Sequence, residues 1–599
     1  MLVDLSNRTK ACDDLSSLLT TIRNRRQLKE QTWLDIHSAW QGTYTKSFFK
    51  SEVFNHYVPI FRKNIEKRAV RGAQMVIPTN EFFEVFPADE LSDRGGKEAS
   101  SIYSYLAHIV RTKLRPYSLA KQLFRCIDLY GRAAIKTGVQ VSTEGGAAVV
   151  WPTVRAVDPF QFFSWPETQP DLAKASLICE DFIISYDEYK EAVGSKDVED
   201  VDETKLTSVT WPSHMTQRLM DSGVPEPNST APGSSTQTET GKNKTGSFVQ
   251  GSEVWVNYGS YWRFCWVVWN LTDGAKITRV SKTKFNRPAY RQTISREIPG
   301  ELYTSSLGED GEHLQILTND AINMYLESTA MDIAGPVAVD PFQVPRTGML
   351  KFRPRAIWPV APTAIGAVFP LQRTSTRSSL SFAQFSMGLF ESFSGSGGPM
   401  AEGQSIRNMP RSATFGSDLL QLAMADLKDT ARSIEEDLFS PMLGDLYALT
   451  IEFVPATQII RIPGTRDFPP KTMRRQDLEG NWSFIWLGSI QAQDYAAKAK
   501  QSLDLLTVLS KLLPVIAPDL QARGKQINWT LLFKRIWREY LGERGLEAIL
   551  EDIPQGQPPP MPAQAAPPAP PASVPPSPVD MEGIMAQLEK GNLLVPKGA

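Results

Sequence analysis

The chain has 599 residues, which is enough for several domains around a sizeable hydrophobic core. Its hydrophobic content of 41% and charged content of 22% are ordinary for a soluble protein. The formal net charge of −2 excludes a protein that binds nucleic acid through its overall charge, so any basic surface must be local.

The remaining bulk features predict a soluble intracellular protein. Met1 to Asp14 is polar, so no signal peptide is expected, and no apolar run is long enough to cross a bilayer. The cysteines are far apart and form no CxxC pair, which indicates buried, reduced thiols. They are Cys12, Cys126, Cys179 and Cys265.

The first 130 residues alternate helices with a short β segment. Apolar spacing predicts helices over Asp14–Trp40, Asn55–Arg71, Gly96–Leu114 and Tyr117–Tyr130, with a strand pair over Gln74–Pro87. The second helix is basic, and a solvated helix face is favoured there over a contact with DNA or a partner.

Strands dominate the next part of the chain. A hairpin is expected from Ala133–Ser142 and Ala148–Val157, because Gly145-Gly146 lies between them. From about 194 to 251 an acidic run and a Ser/Thr/Pro/Gly-rich tract predict a long mobile insert. The strands expected after the insert are Glu253–Tyr258, Arg263–Asn270 and Lys276–Val280.

The stretch from Gly311 to Leu449 is the centre of the chain. It predicts a helix ending at Gly335-Pro336, short strands over Val337–Phe369 and a returning helix over Gln372–Ser392. No acidic residue lies between Asp340 and Glu391. The basic residues there are Arg346, Lys351, Arg353, Arg355, Arg373 and Arg377.

A glycine loop follows, and after it a long helix over about Thr414–Thr450. The apolar stripe of that helix is expected at alternating steps of three and four residues. Its members are Leu420, Met424, Leu427, Ala431, Ile434, Leu438, Met442 and Leu446. A helix this long, roughly 50 Å, beside a stretch of one charge sign suggests an elongated subunit that packs against copies of itself.

The C-terminal part is predicted to hold two strands, two helices and a tail. The expected strands are Ile451–Ile462 and Gly480–Leu487, and the helices are Gln493–Leu513 and Trp529–Leu541. Pro554 to Asp580 is Pro/Ala-rich and predicts an extended disordered linker. Met581–Lys590 is amphipathic, and both a frayed tail and a docking peptide for a capsid or core protein remain open.

The central stretch resembles the portal (head-to-tail connector) proteins of tailed bacteriophages, especially those of short-tailed phages. The resemblance rests on the order and spacing of short motifs rather than on any one of them. These are Asn319-Asp320 with Asn323, Val337-Ala338-Val339-Asp340-Pro341, the glycine loop up to Gly403, and Arg432-Ser433-Ile434-Glu435-Glu436. Gly308-Glu309-Asp310-Gly311 departs from the family, where a Tyr-Gly often precedes the helix, and this leaves the helix start open.

The resemblance implies a helix-rich α+β fold with the wing, stem, clip and crown of a portal, its long stem and wing helices accompanied by small β units. The implied wing is 1–308 with its insert, the stem helices are 309–335 and 371–393, and the clip is 336–370. The tunnel loop is 394–411, the long wing helix with its strands 412–485, the crown 486–552, and the disordered tail 553–599.

The resemblance also implies the functional residues. The tunnel loop would include Gly395, Ser396, Gly397, Gly398, Pro399 and Gly403. The residues implied to face DNA are Arg373, Arg377, Arg407 and Arg411. Arg346, Lys351, Arg353 and Arg355 would form the clip interface for the motor or adaptor, which is favoured over a sleeve around DNA.

The partners implied are those of a portal vertex. They are a homo-oligomeric ring of about twelve subunits, double-stranded DNA in the channel, the terminase large subunit, a tail adaptor, and the major capsid and scaffolding proteins. The expected location is the capsid vertex of the virion, and the host cytoplasm during assembly. No membrane contact is expected.

Enzymatic motifs are absent from the sequence. Thr240-Gly241-Lys242-Asn243 lacks the other residues of a phosphate loop, and no GxSxG or GxGxxG motif occurs. The histidines have no metal-ligand spacing. They are His37, His56, His108, His214 and His313. No catalytic residue, cofactor or metal is therefore expected, and the alternatives are a metal-dependent DNA-processing nuclease or a structural virion protein without a channel.

Overall fold

The computed structural model describes a discontinuous set of residues. They are 3–43, 54–77, 82–87, 95–144, 147–193, 198–207, 209, 211–222, 248–283, 287–333, 337–339, 357–359, 368–370, 377–393, 425–453, 457–460, 471–474 and 480–488. The chain divides into two units, Met1–Gly542 and Glu543–Ala599, and all described residues belong to the first. The predicted helices Gln493–Leu513 and Trp529–Leu541, the linker and the amphipathic tail segment lie outside the described residues.

Helices and sheets both occur, as expected for an α+β protein. The helices are α1 (Arg8–Gln41), α2 (Ile60–Val76), α3 (Gly95–Thr112), α4 (Pro116–Tyr130), α5 (Tyr186–Val193), α6 (Ser213–Asp221), α7 (Leu307–Ile333), α8 (Arg377–Phe393), α9 (Ala425–Ile434) and α10 (Ser440–Phe453). A π-helical turn, Glu435–Phe439, joins α9 to α10.

The strands form several small sheets. They are β1 (Phe83–Pro87), β2 (Arg132–Glu144), β3 (Ala147–Val157), β4 (Phe162–Trp165), β5 (Leu177–Ser185), β6 (Phe248–Asn257), β7 (Trp262–Val268), β8 (Lys276–Lys282), β9 (Tyr290–Ile294), β10 (Val337–Val339), β11 (Ile357–Pro359), β12 (Val368–Pro370), β13 (Thr457–Ile460), β14 (Lys471–Arg474) and β15 (Trp482–Trp486). The strand orders are β4-β5-β6-β7-β8, β3-β2-β9, β11-β10-β12, β1-β15 and β13-β14.

The five-stranded sheet is antiparallel throughout and packs against α1. Leu15, Leu19 and Ile22 lie on one face of α1 and are fully buried. They share a core with Cys179 and Val254 on the sheet, whose alternating side chains point toward the helix. The buried thiol of Cys179 therefore serves packing, and burial raises its pKa well above the usual value.

A buried charge cluster lies between the five-stranded sheet and β2–β9. Lys136 donates to Glu180 and contacts Glu253 at 2.8 Å, and Tyr290 donates its hydroxyl to Glu180 at 2.8 Å. Burial raises the pKa of Glu253, but Lys136 and two indole N–H groups outweigh burial and leave that pKa below its usual value. Each buried carboxylate is thus paired, which is the condition for burying it.

The second core is helical and contains the long helix. From α9 through α10 the backbone is helical from Ala425 to Phe453. The described members of the predicted stripe are all buried, in one cluster with residues of α2, α3 and α4. They are Leu427, Ala431, Ile434, Leu438, Met442 and Leu446. The long helix therefore packs this stripe into the core of its own chain.

The spacing of the stripe also differs from the prediction. From Ile434 to Leu446 every step is four residues, not three and four in alternation. In a pure α-helix each step of four would rotate the stripe by about 40° away from the core. The π-helical turn at Glu435–Phe439 adds a residue to that turn and keeps Leu438 and Met442 buried.

Several predicted elements are confirmed and others are corrected. The β2–β3 hairpin pairs as expected, from Ala134 with Val157 to Glu144 with Ala147. The strand pair predicted over Gln74–Pro87 is wrong, because α2 continues to Val76 and β1 pairs with the distant β15. The strand predicted over Ile451–Ile462 begins later, since α10 extends through Phe453.

The predicted mobile insert of 194–251 contains regular structure in its described parts. A 3-10 turn spans Glu203–Lys205, α6 spans Ser213–Asp221, and β6 begins at Phe248. Residues 223–247, which hold most of the Ser/Thr/Pro/Gly-rich tract, lie outside the described residues.

Candidate functional site

Most of the residues predicted to be functional lie outside the described part of the chain. These are the tunnel-loop residues Gly395, Ser396, Gly397, Gly398, Pro399 and Gly403, together with Arg346, Lys351, Arg353, Arg355, Arg373, Arg407 and Arg411. Arg377 is the first residue of α8, and the structure describes its backbone but not its side chain. The candidate site is therefore built from the helices on either side of β10–β12, which we call the α7–α8 hairpin.

The sequence left the start of α7 open and the resemblance placed it at 309, whereas the helix begins at Leu307, directly after a serine cap. Ser306 accepts a hydrogen bond from the backbone N–H of Glu309 at 3.0 Å, and Lys29 of α1 contacts the Glu309 carboxylate at 2.6 Å. Ser306 and Glu309 have the S-x-x-E spacing of a capping box, which is the sequence signal that the prediction missed.

Two glycines inside the first turns of α7 allow close packing. A Cβ at Gly308 would lie 2.7 Å from Ile36 Cγ2 and 2.8 Å from the backbone oxygen of Leu129. A Cβ at Gly311 would overlap the ring of Phe390 in α8. Glycine is unfavourable inside a helix, but at these two positions the missing side chain lets α7 pack closely against α1, α4 and α8.

The two helices of the hairpin run antiparallel. Thr318 and Ser386 share a hydroxyl hydrogen bond of 2.7 Å, and Phe390 reaches Phe61 of α2 with ring centroids 5.8 Å apart. Among the α8 side chains that the structure describes, Ala383, Ser386 and Phe390 are buried. Small and hydroxyl-bearing side chains thus lie at the middle of the inner face of the hairpin, and aromatic rings lie at its base.

An amide ladder on α7 fixes the base of the hairpin to an extended segment. Asn323 accepts from the His56 N–H at 2.9 Å and donates to the His56 carbonyl at 3.2 Å. Asn319 accepts from the Val58 N–H at 3.0 Å, and Gln315 donates to the Val58 carbonyl at 2.7 Å. The i, i+4, i+8 spacing places the three amides on one face, where they bind the backbone as a neighbouring strand would.

The outer face of α8 is apolar and exposed. Phe382, Phe385 and Leu389 retain 46%, 64% and 45% of their surface, and they follow the i, i+3, i+7 spacing of one helix face. Contiguous exposed apolar side chains of this size mark a surface that binds another protein or a membrane. No helix in the described residues combines the length and hydropathy needed to cross a bilayer.

The hairpin ends in a three-stranded sheet. β10 pairs in parallel with β11 and antiparallel with β12, and Val337 lies opposite both Ile357 and Pro370. The three strands lie in the stretch where the sequence predicted short strands interrupted by prolines. The order of helix, small sheet and returning helix therefore agrees with the prediction.

An acidic cleft of about 250 Å³ is lined in part by the π-helical turn. Its carboxylates come from Asp171, Glu297, Glu436 and Asp437. Burial raises the pKa of Asp437, a hydrogen bond from Thr293 opposes this, and the neighbouring carboxylates add to the rise. In the described residues, no group of three or more His, Cys, Asp or Glu side chains is arranged to hold a metal ion.

No protein-family model and no curated protein matches this chain. The geometry of the α7–α8 hairpin and the sequence motifs on it are thus the grounds for a functional proposal.

Proposed function

We propose that this protein is a phage portal protein, which forms a ring at one capsid vertex. Its channel would carry DNA during packaging and ejection, and the ring would be the docking site for the terminase motor and the tail adaptor. The observation that supports this most is the α7–α8 hairpin, in which two antiparallel helices flank a small sheet and one helix carries an exposed apolar stripe.

The order of elements supports the proposal. A portal is expected to have a stem helix, a clip of short strands, a second stem helix, a tunnel loop and a long wing helix. The described elements α7, β10–β12, α8 and α9–α10 follow that order. In this assignment α7 and α8 are the stem and β10–β12 belong to the clip.

The ring contact is assigned to the outer face of α8. The stripe of the long helix is already buried within its own chain, whereas Phe382, Phe385 and Leu389 are exposed. Burying a Phe or Leu side chain contributes roughly 1.5–3 kcal/mol. The same contact repeated around a closed ring would therefore provide a strong drive for head-to-tail assembly.

The decisive experiment images the purified protein and measures the mass of its particles. Negative-stain microscopy and light scattering should show rings with a central hole, of about twelve subunits by resemblance. A compact monomer at every concentration tried would contradict the proposal. Divalent-metal-dependent cleavage of DNA by the pure protein would favour the nuclease, and closed particles without a hole would favour a structural virion protein.

A paired substitution assigns the contact to α8. Phe385→Glu with Leu389→Glu should convert rings to monomers, because each charge would be buried without a partner in the ring. Leu28→Glu on α1 is the control, since Leu28 is 84% exposed and outside the hairpin. Rings that persist in the double variant would move the subunit contact to another surface.

A further inference from the structure

The nine-residue helix α6 is held to the body of the protein mainly by polar contacts. Asp221 accepts a hydrogen bond from Ser38 of α1 at 2.6 Å, and Gln217 donates to the same hydroxyl at 3.3 Å. Arg218 contacts Asp158 at 2.6 Å. Only His214 of α6 is buried. An element with so little apolar burial opens at a lower free energy than the core.

Two histidines lie in the interface between α6 and α1. The His214 ring stacks on Phe160 with centroids 5.1 Å apart, and its Nε2 is enclosed without a hydrogen-bond partner in the described part of the chain. His37 of α1 shares a hydrogen bond of 2.9 Å between its Nδ1 and the hydroxyl of Tyr130. Both imidazoles are buried, so both are suited to the neutral form.

The charges around the imidazoles partly cancel. Arg218 faces both rings and Arg26 faces His214, and these two cations oppose protonation. Asp158 faces both rings and favours protonation, as do Asp221 toward His37 and Asp181 toward His214. Tyr130 of α4, which shares the hydrogen bond with His37, is also titratable, and burial raises its pKa.

Burial outweighs the carboxylates at both sites. It lowers the pKa of His37 to about 4 and that of His214 to about 4, and Arg218 acts in the same direction. A released α6 would carry His214 into water and open the side of His37 that faces Arg218 and Asp221, and a histidine pKa in water is about 6.5. Acid therefore favours the released state over the docked one.

We propose that α6 is an acid-released latch, in which protonation of His37 and His214 detaches α6 from α1 while the sheets remain folded. A proton on the His214 Nε2 would create an enclosed N–H without an acceptor, beside the Arg218 guanidinium. The latch belongs to a single chain and is independent of ring assembly.

Linkage gives the size of the effect. Between pH 7 and pH 5, one histidine whose pKa moves from about 4 when docked to about 6.5 when released raises the population of released α6 about twentyfold. The two histidines together raise it several hundredfold, on the order of 500, if both become solvated.

Hydrogen exchange followed by mass spectrometry tests the latch on the full chain. Peptides covering 213–222 are compared with peptides covering 248–268 at pH 7 and pH 5, with labelling times scaled for the pH dependence of chemical exchange. The expected result is faster exchange of α6 at pH 5, while β6 and β7 stay much more strongly protected than α6. Unchanged exchange of α6, or exchange of α6 together with β6 and β7 as one cooperative unit, overturns the proposal.

Variants separate the latch from general acid sensitivity. His214→Phe keeps a ring to stack on Phe160 but takes no proton, so the acid response of α6 should fall to about twentyfold. His56→Gln is the control, because the exposed His56 lies outside the interface and the response should be unchanged. If His214→Phe does not fold, His37→Gln provides the same comparison. A full wild-type response in either latch variant overturns the proposal.

Discussion

The hydroxyls of Thr318 and Ser386 lie 2.7 Å apart and join α7 to α8 at the middle of the hairpin. Both residues are buried, and each hydroxyl also lies within hydrogen-bond distance of a backbone carbonyl, Thr318 of Leu314 and Ser386 of Ala383, so either hydroxyl can donate in the contact between them. The contact is local, yet it fixes how far the two helices can slide along each other.

Thr318→Val should destabilise the protein by about 1–2 kcal/mol, because Ser386 then loses a partner in a buried position. The double variant Thr318→Val with Ser386→Ala should cost less than the sum of the single changes, since both polar groups are then removed together. Thermal unfolding of the four proteins measures this coupling. Strict additivity would show that the two hydroxyls do not bind each other.

Three glycines of the hairpin should respond differently to alanine. Gly308→Ala should destabilise most, by about 2–3 kcal/mol, because the added methyl meets the immovable backbone oxygen of Leu129. Gly311→Ala should cost less, since the ring of Phe390 is able to shift.

Gly388→Ala is the matched control for these two changes. No atom of the described chain lies within 4 Å of a Cβ at Gly388, and this residue is inside α8. The alanine should therefore stabilise the protein by about 0.5–1 kcal/mol through helix propensity. A loss of stability at Gly388 comparable with that at Gly308 would mean that backbone preference, and not packing, governs all three sites.

Local sequence patterns predicted the elements whose causes are local. The β2–β3 hairpin follows from alternation around Gly145-Gly146, and α7 followed by short strands and α8 follows from helical spacing and prolines. The cap at Ser306 and the run of four-residue steps after Ile434 were also present in the sequence. The first sets the start of α7, and the second requires the π-helical turn.

Other features depend on distant parts of the chain and have no local signal. Phe83 pairs with Trp486, so the strand pair containing β1 cannot be found by searching nearby residues. The burial of the long helix in its own core likewise depends on α2, α3 and α4. An amphipathic stripe shows that a helix has a partner but not whether that partner is in the same chain.

Acid should lower the stability of the whole protein between pH 6.5 and pH 4. The pKa values of His37 and His214 are about 4 in the folded chain and about 6.5 when unfolded, so the unfolded chain binds more protons in this window. At pH 5 each histidine should cost about 2 kcal/mol relative to pH 7. Folding lowers the pKa of these two histidines. Their contribution to stability is therefore complete above pH 6.5 and is lost as the pH falls.

Thermal melts at pH 7 and pH 5 measure this loss. The variant with His37→Gln and His214→Gln should show a smaller difference in Tm between the two pH values than the wild type, even if it is less stable at pH 7. His56→Gln should retain the full difference. An equal pH dependence in all three proteins would assign the acid sensitivity to other groups.

Reversing charge in the predicted clip should weaken the docking of the motor and adaptor. Arg353→Glu with Arg355→Glu changes two basic residues in each subunit, and a ring repeats that change around its axis. Binding of the terminase large subunit and of the tail adaptor should fall, and should depend less on salt. Unchanged binding in a correctly assembled ring would count against the proposed clip interface.

The last prediction concerns the pairing of Arg68 with two carboxylates of very different exposure. Arg68 and Asp128 are both 2% exposed and lie 3.2 Å apart, whereas Asp426 contacts Arg68 at 2.9 Å but is 60% exposed. Burial raises the pKa of Asp128, and Arg68 pulls that pKa down without cancelling the rise.

Asp128→Ala should therefore cost about 3–5 kcal/mol, because it leaves a buried guanidinium without its buried partner. Asp426→Ala should cost less than about 1 kcal/mol, since the exposed carboxylate is screened by water. Replacing both buried partners, Arg68→Met with Asp128→Leu, should recover much of the loss from Asp128→Ala. Chemical denaturation of the three variants distinguishes these outcomes. Equal losses for Asp128→Ala and Asp426→Ala would show that burial does not set the strength of the pair.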